Sequence, residues 1–468
     1  MKVEQIYTNC LAEAAYYIES NGEAVVIDPM REPQPILDRL REDQAKLKYI
    51  FETHFHADFV SGHIDLHRET GAPIVFGPGA EAGYDIHVGK DNEEFKIGDV
   101  TLKLLHTPGH TMESASFLLF DEKGKQHCVF TGDCLFIGDV GRPDLAVKSN
   151  LTQEDLAGHL YDSLRNKLMP LNDDVIVYPN HGAGSACGKL MSEETFDTLG
   201  HQKEVNYALQ DMSKAEFIDK VLDGLATPPQ YFPKNAMLNK RGYDSLDTIL
   251  EHARRALDPD HVNKLMKDGA LLLDTREHVL FQKEYIPGSV NIGLDGNFAS
   301  WVGTLIEDIN QPIVLIVEEE RIDEAITRLA RVGYNNTVGY LQGCIKEWKD
   351  SGYPVDTIEF ISAYRLDKLI DADEEVNIID TRRKSEYESE HVMGSEVLTL
   401  DTIKDHMNEL DKDKTYYMYC LTGYRSASLI SILKNNGYSK LINIEGGLDA
   451  IRETDIPLSE YVCPTTIL

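Results

Sequence analysis

Two stretches of this chain repeat one another at an interval of about 105 residues, a spacing that constrains the architecture more tightly than any other feature of the sequence. LLLDTREHVLFQKEYIPGSVNI, beginning at Leu271, matches NIIDTRRKSEYESEHVMGSEVL, beginning at Asn377, with Asp274 on Asp380, Arg276 on Arg382 and Gly288 on Gly394. Further on, LARVGY (329–334) matches LKNNGY (433–438), and the segment around Pro354 matches that around Pro457. A unit of this length is too large for a solenoid repeat and right for a small α/β domain that buries its own core. With 468 residues, and roughly 150 residues per domain, about one further domain must precede the pair.

That leading region alternates short β-branched or aromatic runs with helical stretches. AAYYIE, GEAVVID, KYIFETH, PIVFG, VTLKLLHT, SASFLLF, HCVFTGD and VIVYPNH read as strands. Helices are predicted at Pro33 to Gln44, Ser61 to Thr70 and Thr152 to Leu168. From Glu193 to Asp258 the periodicity weakens, and TPPQYFP (227–233) reads as a connector wrapped on the first domain. The boundaries that follow are 1–195 for the first domain, 196–257 for connector and accessory helices, 258–357 for the first repeat copy and 358–468 for the second.

The composition, 42% hydrophobic and 27% charged, is that of a globular protein, and no apolar run is long enough to span a bilayer. The opening MKVEQIYTNC lacks a basic segment followed by an apolar one, so cytoplasm is the expected compartment. A net charge of -33 disfavours nucleic acid and anionic membrane surfaces. Seven cysteines without paired spacing argue against a disulfide framework and leave room for reactive thiols, although Cys10 and Cys463 have no assignable role.

Polar clusters recur at the ends of strands in the first domain. Thr53-His54-Phe55-His56-Ala57-Asp58-Phe59 follows an apolar strand; Thr107-Pro108-Gly109-His110 and Thr131-Gly132-Asp133 end two more; Pro179-Asn180-His181 ends another. A solitary His or Asp at such a place is usually only hydrogen-bonded, but four stations in this order point to a metal centre. Here the sequence resembles the metallo-β-lactamase superfamily, whose H-x-H-x-D-H, P-G-H, G-D and final His stations fall on His54/His56/Asp58, His110, Asp133 and His181. The resemblance implies an αβ/βα sandwich with the metal between the edges of two sheets. Binuclear hydrolases of that superfamily carry a histidine where this chain has Phe59, and a phenyl ring cannot bind a second ion.

With that ligand lost, the simplest occupant is one metal on His54, His110 and Asp133, a two-His, one-carboxylate face suited to Fe(II); zinc accepts the same donors. A closer likeness is to persulfide dioxygenases fused to rhodanese domains, carried by THFHADFVSGH, TPGHT, TGDCLFIGDVGRPDL and YPNHGAGSACGK. It implies one Fe(II) per domain and oxidation of a low-molecular-weight thiol persulfide by O₂ to sulfite. Thr131 and Arg142 match residues near metal or substrate in that family, with a turn hydroxyl and a structural arginine as the plain alternatives. His56, Asp58 and His181 are expected around the ligands rather than on iron. Cys187, in GAGSACG, is a candidate to meet the persulfide, or else an inert buried thiol.

In the last domain Cys420 follows the apolar run YYMY and precedes a helix, and Cys420 to Arg425 forms a tight loop. Such a loop turns backbone N–H groups and the positive end of a helix toward the sulfur, and Arg425 adds fixed charge. Four intervening residues, rather than the five of tyrosine phosphatases, make it resemble the rhodanese loop, with IIDTR and EGGLDAI in support. In the first copy, aligning the Gly-Tyr pairs puts Ile316 opposite Cys420 and Glu319 opposite Gly423, within VLIVEEERIDEA, so that copy is expected to carry no sulfur.

The chain is therefore expected to be α/β throughout, a metallo-β-lactamase sandwich followed by two rhodanese-like domains. Its expected partners are a thiol persulfide, O₂ and sulfite, in a homo-oligomer, with thiosulfate as the product at Cys420. A zinc hydrolase of the thioesterase or glyoxalase II type fused to a sulfurtransferase is the competing enzyme. A sulfur-relay or sensor protein is the non-enzymatic alternative.

Overall fold

In the computed structural model, residues 1–147, 151–372 and 376–462 are described, and Cys463 lies outside them. The chain divides into two compact units: Met1–Thr248 with Leu329–Gly333, and Ile249–Arg328 with the chain from Tyr334 onward.

The first unit is built on two six-stranded sheets, each laid down in chain order. One runs Lys2–Thr8, Glu13–Ser20, Glu23–Ile27, Lys46–Phe51, Ile74–Phe76, His87–Val88; the other runs Glu94–Ile97, Val100–His106, Ala115–Phe120, Gln126–Gly132, Ile176–Pro179, Asp197–Thr198. Period-two alternation sorts their side chains. Tyr16 and Ile18 join Phe51, Phe95, Phe117 and Phe130 in the core between the sheets. Tyr17, Val26 and Ile50, pointing the other way, pack with Ile36, Leu40, Ile64 and Leu66 of the helices Gln34–Glu42 and His63–Thr70. Leu118 and Val129 do the same on the second sheet against Ala157, Leu160 and Phe217. The result is four layers, helix–sheet–sheet–helix, and the expected sandwich is present.

The predicted helix at Thr152 to Leu168 is Gln153–Ser163, opened by a capping box between Thr152 and Asp155 and continued by a π turn at Leu164–Leu168. The weakly periodic region is largely helical too, with Leu199–Val205, Lys214–Leu222 and Phe232–Arg241. Pro233 in the expected connector starts the last of these, as proline in a first turn does.

The second unit holds two five-stranded parallel sheets of one topology. In the first, Ala256–Leu257 lies beside Thr337–Leu341, then Ile313–Ile316, Leu271–Asp274 and Val290–Asn291; in the second, Glu359–Ser362 lies beside Leu441–Glu445, then Tyr416–Tyr419, Asn377–Asp380 and Glu396–Val397. Continuously apolar strands such as IVLI fit sheets covered on both faces.

The repeat register differs by one residue from the sequence alignment. Asp274 pairs with Ile316 and Asp380 with Tyr419, so Val317, not Ile316, stands opposite Cys420. The first copy is one residue shorter between this strand end and its Gly-Tyr pair, and that deletion misled the alignment. Among the described residues no helix is long and apolar enough to cross a membrane.

Candidate functional site

The ends of Lys46–Phe51 and Gln126–Gly132, one strand from each sheet, approach so closely that a methyl group on Gly132 would lie 2.6 Å from Thr53 Cβ. Gly132 also holds φ +53°, so glycine is required twice over. This approach brings His54, His110 and Asp133 together, their donor atoms all within 4.8 Å of one another and all buried.

Each imidazole has its far nitrogen committed. Thr53 donates its hydroxyl to Asp28 Oδ2 (2.9 Å), leaving its oxygen to accept from His54 Nδ1 at 3.0 Å. His110 Nδ1 donates to the Arg142 carbonyl at 2.8 Å. Both Nε2 atoms therefore present lone pairs inward, 4.0 Å and 3.5 Å from Asp133 Oδ2. Burial, with His56, His110 and His181 nearby, holds His54 well below the usual histidine value, keeping it neutral and ready to ligate. Neither oxygen of the buried Asp133 carboxylate accepts a hydrogen bond among the described residues. An orphaned carboxylate is costly to bury, and a cation held jointly with the two imidazoles would resolve it. The residues present fit a metal.

A second group stands beside the first. The donor atoms of Asp58, His181 and Cys187 also lie within 4.8 Å of one another, with His181 Nε2 3.4 Å from Asp58 Oδ2 and 3.6 Å from Asp133 Oδ1. His181 Nδ1 donates to the Ala12 carbonyl at 3.1 Å. Phe59 is buried and tilted against His56, ring centroids 4.4 Å apart, so it supplies no donor. Cys187 is brought to this place instead, a neighbour of Asp58 and His181 that nothing in the sequence marks as one. Burial, then the charges of Asp58 and Asp133, push the Cys187 thiol far up, so it is protonated when no metal is bound.

His56 belongs to a third cluster, with Asp28 Oδ1 at 3.0 Å and Glu52 Oε2 at 3.5 Å. Burial opposes its charge, but the Asp28 carboxylate outweighs that and raises it to about 9. His56 is thus a buried cation that steadies Asp28, and through Thr53 it steadies His54. Thr131 donates to the Leu135 carbonyl at 2.6 Å. The Arg142 guanidinium grips Asp144 with two bonds of 2.7 Å and the carbonyls of Ala186 and Ala226. Its side chain ties loops together while its carbonyl orients His110.

Sequence reasoning missed Asn239. From the helix Phe232–Arg241, its buried amide accepts from Ser61 N (3.0 Å) and donates to the carbonyls of His56 (2.8 Å) and Phe59 (2.7 Å). Tyr243 donates to the Ser61 carbonyl, and its ring lies 3.9 Å from the fully buried Arg31, which pairs with Asp65. These accessory residues clamp the loop that carries His54, His56 and Asp58.

In the last domain Cys420 follows Tyr416–Tyr419 and precedes the helix Tyr424–Asn435. Its buried sulfur accepts from Gly423 N at 3.1 Å and lies 3.7 Å from the Ser426 hydroxyl. Gly447 passes 2.4 Å, measured from where a Cβ would stand, from the Cys420 carbonyl, fixing the loop from below. Arg425 is paired through both terminal nitrogens with Glu386, at 2.6 and 2.8 Å, so its charge is offset rather than free. In the middle domain Val317 is followed by Glu318, Glu319 and Glu320, and the half-buried Cys344, at the start of Cys344–Asp350, feels the charges of Arg276, Asp274 and Glu318.

Comparison with known proteins agrees with this division. The metallo-beta-lactamase superfamily matches residues 8–181, and the rhodanese-like domain matches 258–351 and 362–454. A mitochondrial persulfide dioxygenase, ETHE1, of Homo sapiens is 34% identical over 208 residues, 44% of this chain and 73% of that protein. A probable hydroxyacylglutathione hydrolase of Schizosaccharomyces pombe is 32% identical over 166 residues, 35% of this chain, and the match spans only 60% of that relative's length. The crystal structure of a metallo-beta-lactamase from Staphylococcus aureus superposes with a TM-score of 0.62 at 30% identity, covering 73% of this chain and 98% of that one. The chain belongs to the metallo-beta-lactamase superfamily and carries two rhodanese-like domains behind that fold.

Proposed function

We propose that this chain oxidises a low-molecular-weight thiol persulfide with O₂ at a single Fe(II) on His54, His110 and Asp133, and that Cys420 then transfers sulfane sulfur to the sulfite formed. The balance of the first step is RSSH + O₂ + H₂O giving RSH, sulfite and two protons. The carrying observation is the Asp133 carboxylate, buried without a donor and faced by two imidazoles whose other nitrogens are occupied. Such a face leaves open positions, and bound ferrous iron supplies the redox chemistry that joins a closed-shell sulfur compound to O₂.

The protein's own contribution is orientation. Thr53 and the Arg142 carbonyl fix the two rings, and Asn239 fixes the loop under them. Cys187, protonated and beside Asp58 and His181, lines the edge where a persulfide would enter, and its thiol is the candidate contact for the substrate sulfur. At the other site the Cys420 persulfide is attacked at its outer sulfur by sulfite, giving thiosulfate and the Cys420 thiolate, which the Gly423 N–H receives.

A second reading, a zinc hydrolase acting on thioesters, is favoured by the Asp58, His181 and Cys187 group, which could hold a second ion next to Asp133. The relatives named hydroxyacylglutathione hydrolase lend it weight. Protein purified without air should contain one iron and consume O₂ in step with sulfite release when given a persulfide. Thioester hydrolysis without O₂ uptake, from protein holding two zinc ions, would replace the first reading with the second.

A further inference from the structure

The middle domain has lost its sulfur-carrying cysteine, yet one of its side chains stands over the loop of its neighbour. Gly423, the residue whose N–H points at Cys420, has φ +104°, and a methyl built on it would lie 3.3 Å from His278 Nε2. His278 opens the helix His278–Lys283 of the middle domain, and its ring lies edge-on to Tyr424 with centroids 6.3 Å apart. The two domains are locked at this point. Tyr424 donates to the Gly293 carbonyl at 2.9 Å, and the buried Asn443 donates to Gln282 at 2.9 Å and to the Gly423 carbonyl at 3.4 Å. Methyl groups on Gly293 or Gly296 would meet the Tyr424 ring at about 3 Å, so this seam is closely fitted.

Gln282 and Tyr424 are spent on that seam. His278 is not: among the described residues no hydrogen bond engages either ring nitrogen, and the side chain is only half-buried. Arg425, the cation the loop motif would offer to an anion, is bound by Glu386. A neutral imidazole therefore remains as a free polar side chain beside the sulfur cradle, burial lowering its basicity against the pull of Glu277.

We infer that His278, contributed by the domain that carries no sulfur, is a positioning residue of the sulfurtransferase site, donating a hydrogen bond to an oxyanion acceptor such as sulfite as it approaches Cys420. The inference rests on the proposed sulfur transfer at Cys420. In that step the sulfite lone pair forms a bond to the outer sulfur of the Cys420 persulfide, the Cys420 S–S bond breaks, and its electron pair returns to the cysteine sulfur. A monoanion and a dianion give a monoanion and a dianion, so no oxidant, reductant or net proton is needed. A donor held over Gly423 would align the acceptor's oxygens while the Gly423 N–H receives charge on the leaving thiolate.

The test uses the full chain loaded with a low-molecular-weight persulfide, the added sulfur being located on Cys420 by peptide mass mapping, and compares single-turnover transfer to sulfite with transfer to cyanide, which has no oxygen to position. His278→Ala should raise the sulfite concentration for half-maximal rate about tenfold or more, as loss of one hydrogen bond to a charged group does. Cyanide turnover should be unchanged, and His278→Gln, which keeps a side-chain N–H donor, should recover most of the loss. Equal loss toward both acceptors would reduce His278 to a prop of the loop, and no loss toward sulfite would remove it from the site; either overturns the inference. Failure of the wild-type chain to load Cys420 is a separate result, which overturns the transfer reading itself.

Discussion

Asn239 holds two carbonyls and one N–H of the loop 53–61 with a single amide, and truncating it would leave all three without a partner in a buried place. Asn239→Ala is expected to weaken metal retention by about 10- to 100-fold, the usual cost of removing support around ligands, read by competition with a chelator rather than by turnover. Cys187→Ser should change the KM or kcat for persulfide without changing bound iron; unchanged kinetics would make it a packing residue. Cys420→Ser should abolish thiosulfate while O₂ consumption continues, and thiosulfate at the normal rate would end the proposed division of labour. The meeting of His54, His110 and Asp133 was legible because each stands at a strand end in a recognisable cluster. Asn239 was not, since it meets Ser61 across 178 positions of sequence and nothing in the string FPKNAMLNKR marks one asparagine as a clamp. Cys187 was visible as a residue but not as a partner of His181, because only folding puts the GAGSACG loop beside Asp58.

Strands of the first sheets could be read wherever one face is buried, as in EAAYYIES, where Tyr16 and Tyr17 serve opposite layers. Lys2–Thr8 went unread because it is half-buried along its whole length, the condition of an edge strand whose pattern carries no clear period. The helix Lys214–Leu222 was similarly hidden, although the capping box of Ser213 and Glu216 is written in SKAE. The one-residue shift that replaces Ile316 by Val317 was beyond an alignment that had only Gly-Tyr pairs to anchor it. Between elements, the Glu386 to Arg425 pair ties the helix Lys384–Ser389 to the helix behind Cys420. Burial works against the Glu386 charge, but Arg425 prevails and holds its carboxyl below the usual glutamate value. Its contribution to stability is therefore complete above the ordinary carboxylate range and lost as pH falls through the lowered value. Glu386→Gln should lower the unfolding temperature near neutrality and flatten its decline in acid; an identical acid profile for both proteins would refute the linkage.

For the molecule as a whole, the repeat and the strand-end clusters were enough to divide the chain into its sandwich and its paired parallel sheets, because each rests on periodicities that survive without contacts. What they could not supply was the tuning of charge at the sulfur loop, which depends on a salt bridge between helices distant in sequence. With Arg425 answered by Glu386, attraction at that loop falls to peptide dipoles and the uncharged His278 donor, whose reach is short, within a polypeptide bearing a net charge of -33. A dianion diffusing toward it should therefore travel uphill until the last few ångströms. Added sodium chloride ought to accelerate thiosulfate formation at low sulfite, the reverse of what an anion-steering enzyme displays, and a decline on adding salt would reveal a hidden cationic approach path.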